Sequence, residues 1–276
     1  MAQENQFQFI NSSSWKNITA LNATMSDFSY SKHAHEEYSL GVTLQGRQDF
    51  FCQNAYHKSP QGGVLLFNPE QVHDGHSGGE QHLKYVMLYI HPKELHPLFR
   101  ALGYPQHSIP RFEQPLIENR MLRHQILQFS SIIDQAHYSK IEFESCLFRI
   151  AQSLVSMSGV LSIEKPNNKP SDKLLLRAKD YILASLAQDL SIDDIAMAAN
   201  MSKFHFIRLF RQQFGITPHQ YVLSCRVNVA RKIIESGQSL NEAAFMAGFA
   251  DSSHLIRHFK RVYGMTPKTF QRQLSA

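Results

Sequence analysis

The chain has little cysteine. Its three residues, Cys52, Cys146 and Cys225, lie far apart and fit neither a disulfide framework nor the ligand spacing of a zinc site. That excludes a small disulfide-stapled secreted domain and makes a reducing cytoplasm the expected compartment. No apolar run reaches membrane-spanning length. The opening MAQENQFQF has neither a basic stretch nor an apolar core, so no secretory signal is expected. What the chain does have is 276 residues at 43% hydrophobic content, enough to bury two ordinary cores.

The positive charge is confined to one part. Residues 172–276 hold 14 Lys+Arg against 8 Asp+Glu, a net of +6. The other 171 residues hold 14 basic and 15 acidic side chains. A basic region beside a near-neutral one points to a polyanionic partner. Nucleic acid fits better than a membrane, because the segment lacks a broad lipid-facing apolar side.

The basic region contains one segment twice. SIDDIA at Ser191 through FGITPHQY at Tyr221 returns as SLNEAA at Ser239 through YGMTPKTF at Phe270. Ser191, Asp194 and Ala196 recur 48 residues on as Ser239, Glu242 and Ala244. Phe206, Arg208, Phe210, Gly215, Thr217 and Pro218 recur 49 residues on as Leu255, Arg257, Phe259, Gly264, Thr266 and Pro267. Ser-x-x-Asp and Ser-x-x-Glu open a short helix as capping boxes. Asn200 and Gly248 stand at a turn that tolerates positive φ. Ser202, and Asp251 or Ser252, cap a second helix that ends at Gly215 or Gly264. Thr-Pro then starts a third. Two short helices around a tight turn form a helix-turn-helix, and two copies in register make the assignment specific.

In each second helix an apolar stripe turns inward: Phe206 with Phe210, and Leu255 with Phe259. The residues expected at DNA are Lys203, Phe204, Ile207, Arg208 and Arg211 in the first copy. In the second they are Ser252, Ser253, Ile256, Arg257 and Lys260. Arginine pairs bidentately with guanine, and an apolar side chain packs on the thymine methyl.

The two segments SIDDIAMAANMSKFHFIRLFRQQFGITPHQYV and SLNEAAFMAGFADSSHLIRHFKRVYGMTPKTFQ resemble the AraC/XylS family of bacterial transcription regulators. The connecting PHQYVLSCRVNVARKIIES is similar to that family's linking helix. The resemblance covers about the last hundred residues. It implies that each unit inserts its second helix into successive major-groove segments of one DNA site. Asn200 replaces the glycine usual in the first turn.

The N-terminal half differs in kind. YSLGVTL, DFFCQ, GGVLLFN and LKYVMLYI read as short strands between turns, suggesting a small antiparallel barrel or sandwich. Helical spacing follows at Met121, Ile126, Phe129 and Ile133, then at Ile141, Cys146, Ile150 and Leu154. The expected class is α+β. The AraC/XylS resemblance implies a cupin-like, effector-binding β-barrel over residues 1–115 and a helical dimerisation segment over 116–160; a linker is expected at 161–171 and an all-α domain with two helix-turn-helix units at 172–276.

His33-Ala-His35 followed by Gly46, and the stretch through NPEQVH ending at His73, resemble the cupin motif pair. The carboxylate such a motif places four residues after the second histidine is Ser39 here, so no metal and no cofactor are expected. His33, His35, Ser39 and His73 are read as lining a metal-free pocket for a small molecule. Small neighbours Ser39, Gly41 and Thr43 would leave room for it. The alternative, histidines at a solvated mouth, stays open, since alternation cannot say which face is inward.

The function expected is sequence-specific transcription regulation under a small-molecule effector, with no catalytic residues. The alternative is a cupin-type metal-dependent enzyme fused to a DNA-binding module; a third reading has the barrel serve dimerisation alone. The expected partners are promoter or operator DNA, the effector, a second copy of the chain and RNA polymerase, with no membrane.

Overall fold

The structure is a computed structural model. It describes every residue except 1–4, 12–14, 16, 80–81, 106–109, 136–137, 158–160, 164–169 and 275–276. The chain divides into two compact units. Met1–Ser29, Glu36–Gln71 and Gly75–Glu164 form the first; Tyr30–His35, Val72–Asp74 and Lys165–Ala276 form the second.

The strands are β1 (Gln6–Asn11), β2 (Ile18–Met25), β3 (Ser29–His33), β4 (Tyr38–Gln45), β5 (Gln48–Cys52), β6 (Ala55–Ser59), β7 (Val64–Phe67), β8 (His73–Ser77) and β9 (Leu83–Ile90). Helix α1 (Pro92–Ala101), short strands β10 (Pro110–Phe112) and β11 (Leu116–Ile117), helices α2 (Arg120–Asp134) and α3 (Lys140–Ser156), and β12 (Leu161–Ile163) follow. One sheet runs β1-β2-β9-β4-β7-β11, a second β3-β8-β5-β6, and β10 pairs with β12.

The α+β class holds, but the expected barrel is corrected: among the described residues the strands form open sheets. The ends explain why. β11 has only two residues, and β6 exposes most of its length, so neither offers a long apolar seam to close upon. Tyr38, Leu40 and Val42 of β4 point into one core with Leu122, Ile126 and Phe129 of α2 and Phe143, Ile150 and Leu154 of α3. Phe129 meets Phe143 edge-on at 4.8 Å, and Trp15 stacks on Phe143 at 4.9 Å. Met121 and Ile141, which share the helical spacing of their buried neighbours, are exposed. The linker expected over 161–171 begins as β12, and Pro170 already belongs to a helix; residues 164–169 lie outside the description.

The second unit holds α4 (Pro170–Ala184), α5 (Ile192–Ala198), α6 (Lys203–Phe214), α7 (Pro218–Glu235), α8 (Leu240–Met246), α9 (Ser252–Tyr263) and α10 (Pro267–Leu274). The repeat survives into packing. Phe210 lies 4.5 Å from Phe214 and 5.5 Å from Tyr221; the equivalent Phe259 lies 4.5 Å from Tyr263 and 5.4 Å from Phe270. Gly215 and Gly264 cap α6 and α9 at φ +76 and +75, where a Cβ would be strained.

Asn68, buried just after β7, replaces a missing strand partner. Its Oδ1 accepts from the Phe112 N–H at 2.6 Å, and its Nδ2 donates to the Phe112 carbonyl at 3.0 Å. Asn68→Ala leaves both buried backbone groups unsatisfied. A loss of about 2–4 kcal/mol is expected, read as a lower urea midpoint of the full chain; an unchanged midpoint would show that the bridge is not needed.

Candidate nucleic-acid interface and histidine cluster

Each helix-turn-helix is fixed by its caps and its turn. The Ser191 side chain accepts from the Asp194 N–H, and Ser239 forms a full capping box with Glu242. At the turns, the Met201 N–H donates to the Ala196 carbonyl at 3.0 Å, and the Phe249 N–H to Ala244 at 2.9 Å. Asn200 and Gly248 take the left-handed conformation at φ +51 and +81. A side chain at 248 would also collide with the Leu186 carbonyl oxygen, which Arg226 Nε holds at 3.0 Å. Asp251 supplies the cap of α9, its Oδ1 accepting from the His254 N–H at 2.7 Å. Ser202 sits at the N-cap of α6 but makes no side-chain bond there, contrary to expectation.

With those helices set, Phe206, Phe210, Leu255 and Phe259 are fully buried. On α6, Lys203, Phe204, Arg208 and Arg211 are exposed and Ile207 is half-buried. On α9, Ser253, Arg257 and Lys260 are exposed, with Ser252 and Ile256 half-buried. Phe204 is 84% exposed, so it is not extra core. With Ile207, Arg208, Arg211 and Gln212 it lines an open concavity that sets apolar side chains beside cationic ones. Lys203 Nζ pairs with Asp193 Oδ2 at 2.7 Å, and Arg208 Nη2 donates to His205 Nδ1 at 3.1 Å. Met197 and Phe245, 74% and 82% exposed at matching positions of α5 and α8, carry no signal in residue type that marks them as surface groups. Their place in the repeat was legible; their exposure was not.

The imidazole of His258, on α9, is pushed toward its neutral form. Its pKa falls from 6.5 to about 4, through burial first and then through His254, Arg261, Arg257 and His219. Its ring lies 4.7 Å from His254 and stacks on Phe249 at 6.3 Å.

The three histidines come together. His33 ends β3, His35 follows it, and His73 opens β8. They are 7%, 6% and 6% exposed, which removes the solvated mouth, and one ring nitrogen from each lies within 4.8 Å of the other two. His33 Nδ1 lies 2.7 Å from the Ser31 carbonyl, which can only accept; the proton is therefore on Nδ1 and Nε2 carries the lone pair. Burial lowers the His33 pKa, opposed by that carbonyl and by Asp74. Ser39 is buried on β4 of the first unit, opposite Phe67 and Tyr89. The room expected beside Gly41 is taken, since a methyl there would meet Met87 Cε at 2.7 Å.

Two residues missed from sequence hold the histidine segment. The Ser224 hydroxyl accepts from the Ala34 N–H at 3.1 Å and donates to the Ala34 carbonyl at 3.0 Å. Asn228 Nδ2 donates to the same carbonyl at 2.9 Å.

Two family models match the chain: a helix-turn-helix domain over residues 195–273 and an AraC-like ligand binding domain over residues 16–149. The chain belongs to the AraC/XylS family. It is a DNA-binding transcription regulator with a ligand-binding domain. The HTH-type transcriptional regulator YbfI of Bacillus subtilis is 26% identical over 82% of this chain and 81% of its own. The MmsAB operon regulatory protein of Pseudomonas aeruginosa is 28% identical over 90% and 79%. Among solved structures, ToxT of Vibrio cholerae O395 aligns over 95% of this chain and 99% of its own, with TM-score 0.59 and 12% identity, a likeness of fold. ToxT with an unsaturated fatty acid bound aligns over 99% and 98%, with TM-score 0.57 and 15% identity.

For this AraC/XylS chain, His258 sets a pH dependence. Its folded-state pKa is depressed, so between 6.5 and about 4 the unfolded chain binds a proton that the folded chain refuses. Stability therefore falls as pH drops through that window and is insensitive to this group above it. Histidine NMR should show His258 neutral at pH 5.5, where an ordinary imidazole is protonated. A His258 midpoint near 6.5 would contradict the packing against Phe249.

Proposed function

We propose that the chain binds specific operator DNA in the cytoplasm through both helix-turn-helix units. The expected reading residues are Lys203, Phe204, Ile207, Arg208 and Arg211 on α6, and Ser252, Ser253, Ile256, Arg257 and Lys260 on α9. The observation that carries this is the pair of equivalent helices, each buried along one stripe and exposing arginine beside apolar residues on the other. An 18-residue α7 between the units is about 27 Å long, the scale of the roughly 34 Å between successive major-groove segments.

A small ligand controls that binding, with His33, His35 and His73 as its polar contacts. The ToxT structure holding a fatty acid supports a small-molecule signal for this fold. The ligand acts by binding one conformational state better than another. Serine in place of the motif carboxylate, and relatives named as regulators, favour this reading over a fused enzyme. A second copy docks on the helical segment, where Ile141 and Phe148 stand seven residues apart on α3 and are both exposed. RNA polymerase is the partner at the promoter.

Arg208→Ala and Arg257→Ala should each cost roughly 1–3 kcal/mol of specific DNA binding, and footprints should relax at different parts of the site. Unchanged affinity in both variants would sink the assignment.

The full chain should sediment as a dimer, and Ile141→Asp with Phe148→Asp should make it monomeric without lowering its helix content. A wild-type monomer at high concentration would overturn the docking surface.

A further inference from the structure

We propose that His33, His35 and His73 form a binding site for one divalent transition-metal ion of the zinc class. The sequence argues otherwise, because the motif carboxylate is missing. The structure supplies a different donor set: three buried imidazoles converging within 4.8 Å. Three neutral nitrogens are a sufficient protein set for zinc, with a fourth position left for water or a small anion. Nitrogens on a tetrahedral zinc are about 3.3 Å apart at bond lengths near 2.0 Å. Bringing the three nitrogens from within 4.8 Å to that spacing is the adjustment a bound ion would require of the rings.

Two further features belong to a built site. The Ser31 carbonyl takes the Nδ1 proton of His33 and so orients the Nε2 lone pair, the role an outer partner plays for a ligating histidine. Asp74, next to His73 in sequence, is a half-buried carboxylate that acts electrostatically on His33. Imidazole donors suit zinc, nickel, cobalt or copper, and disfavour magnesium and calcium, which take oxygen.

The site is wired to a reading helix. Ala34 lies between two of the ligands, and its peptide is clasped by Ser224 and Asn228 of α7. The Tyr263 hydroxyl, at the end of α9, donates to Asn228 Oδ1 at 3.2 Å. A metal that fixes the backbone at 33–35 therefore fixes the acceptor that orients Asn228, and Asn228 orients Tyr263. This consequence at DNA rests on the proposed regulatory reading; the metal site does not.

The test uses the full chain, stripped with chelator and returned to chelator-free buffer. Zinc chloride is titrated against a chromophoric zinc indicator. One zinc per chain is expected, with a rise in the unfolding midpoint of the wild type. His33→Gln, His35→Gln and His73→Gln should each weaken binding by more than the roughly ten- to hundredfold that an outer partner is worth. His82→Gln should leave it unchanged. No stoichiometric zinc, or equal binding by all three variants, overturns the site, and the wild-type midpoint decides the matter if a variant fails to fold. Affinity is then measured for DNA selected by the protein from a random pool. A shift of about fivefold or more on adding zinc, lost in His73→Gln, supports the link to α9. Zinc binding without a shift overturns the link and leaves the site. Selected DNA bound by a chain that takes no zinc overturns the site and leaves the regulatory reading.

Discussion

Both helix pairs of the C-terminal unit are seated on one helix, α7, and their relation to each other follows from its burial. Tyr221 and Val222, at its start, close the core of the first pair against Phe206 and Phe210. Val227, Ala230 and Ile234 are buried further along, where α8 and α9 pack. Arg226, between these stretches, ties the turn after α4 to the helix by donating to the Leu186 and Gln188 carbonyls. A helix constrained along this much of its length has no freedom to bend, so the spacing of the two reading helices is set by its length and pitch. The glycine at 248 belongs to the same constraint. The backbone of the α4 segment comes so near that no Cβ fits. Asn200, in the equivalent turn, keeps a side chain.

Most of this half was legible in the sequence because its determinants are local. Caps, left-handed turn residues and inward stripes each lie within four residues of their partners, and the repeat doubles the signal. The N-terminal half was less so. β4, β5, β7 and β9 carry dense apolar runs and were read correctly. β1 and β2 alternate Phe7 and Phe9, or Ile18 and Leu21, with Gln, Asn and Thr, a weaker pattern, and were passed over. Failure of the barrel to close depended on the short β11 and the exposed β6, which no spacing announces. Met121 and Ile141 matched helical periodicity yet stand one and two residues away from the buried Leu122 and Phe143.

The histidines show the limit most clearly. The motif pair already grouped His73 with His33 and His35, but it left open whether all three would be buried or stand at a solvated mouth. Ser224 and Asn228 are ordinary residues on a periodic helix, 190 and 194 positions from Ala34. Nothing local distinguishes them from their neighbours. Long-range hydrogen bonds to backbone leave no trace in residue type, because any hydroxyl or amide at that place would serve.

The two reading helices do not begin alike. α9 opens under the Asp251 carboxylate, whereas α6 opens at Ser202 without a side-chain bond and with Lys203 at its first position, a cation at the positive end of the helix dipole. An N-cap bond is worth about 1 kcal/mol, so the first turn of α6 frays several times more often than that of α9. Amide hydrogens there exchange sooner, and on the proposed DNA reading the helix would meet its groove as a compliant element while α9 would meet its own as a stiff one. One half of a bound site would then be read by shape already in place, and the other by a surface that finishes folding on contact, making the tolerance for altered bases unequal between the two halves.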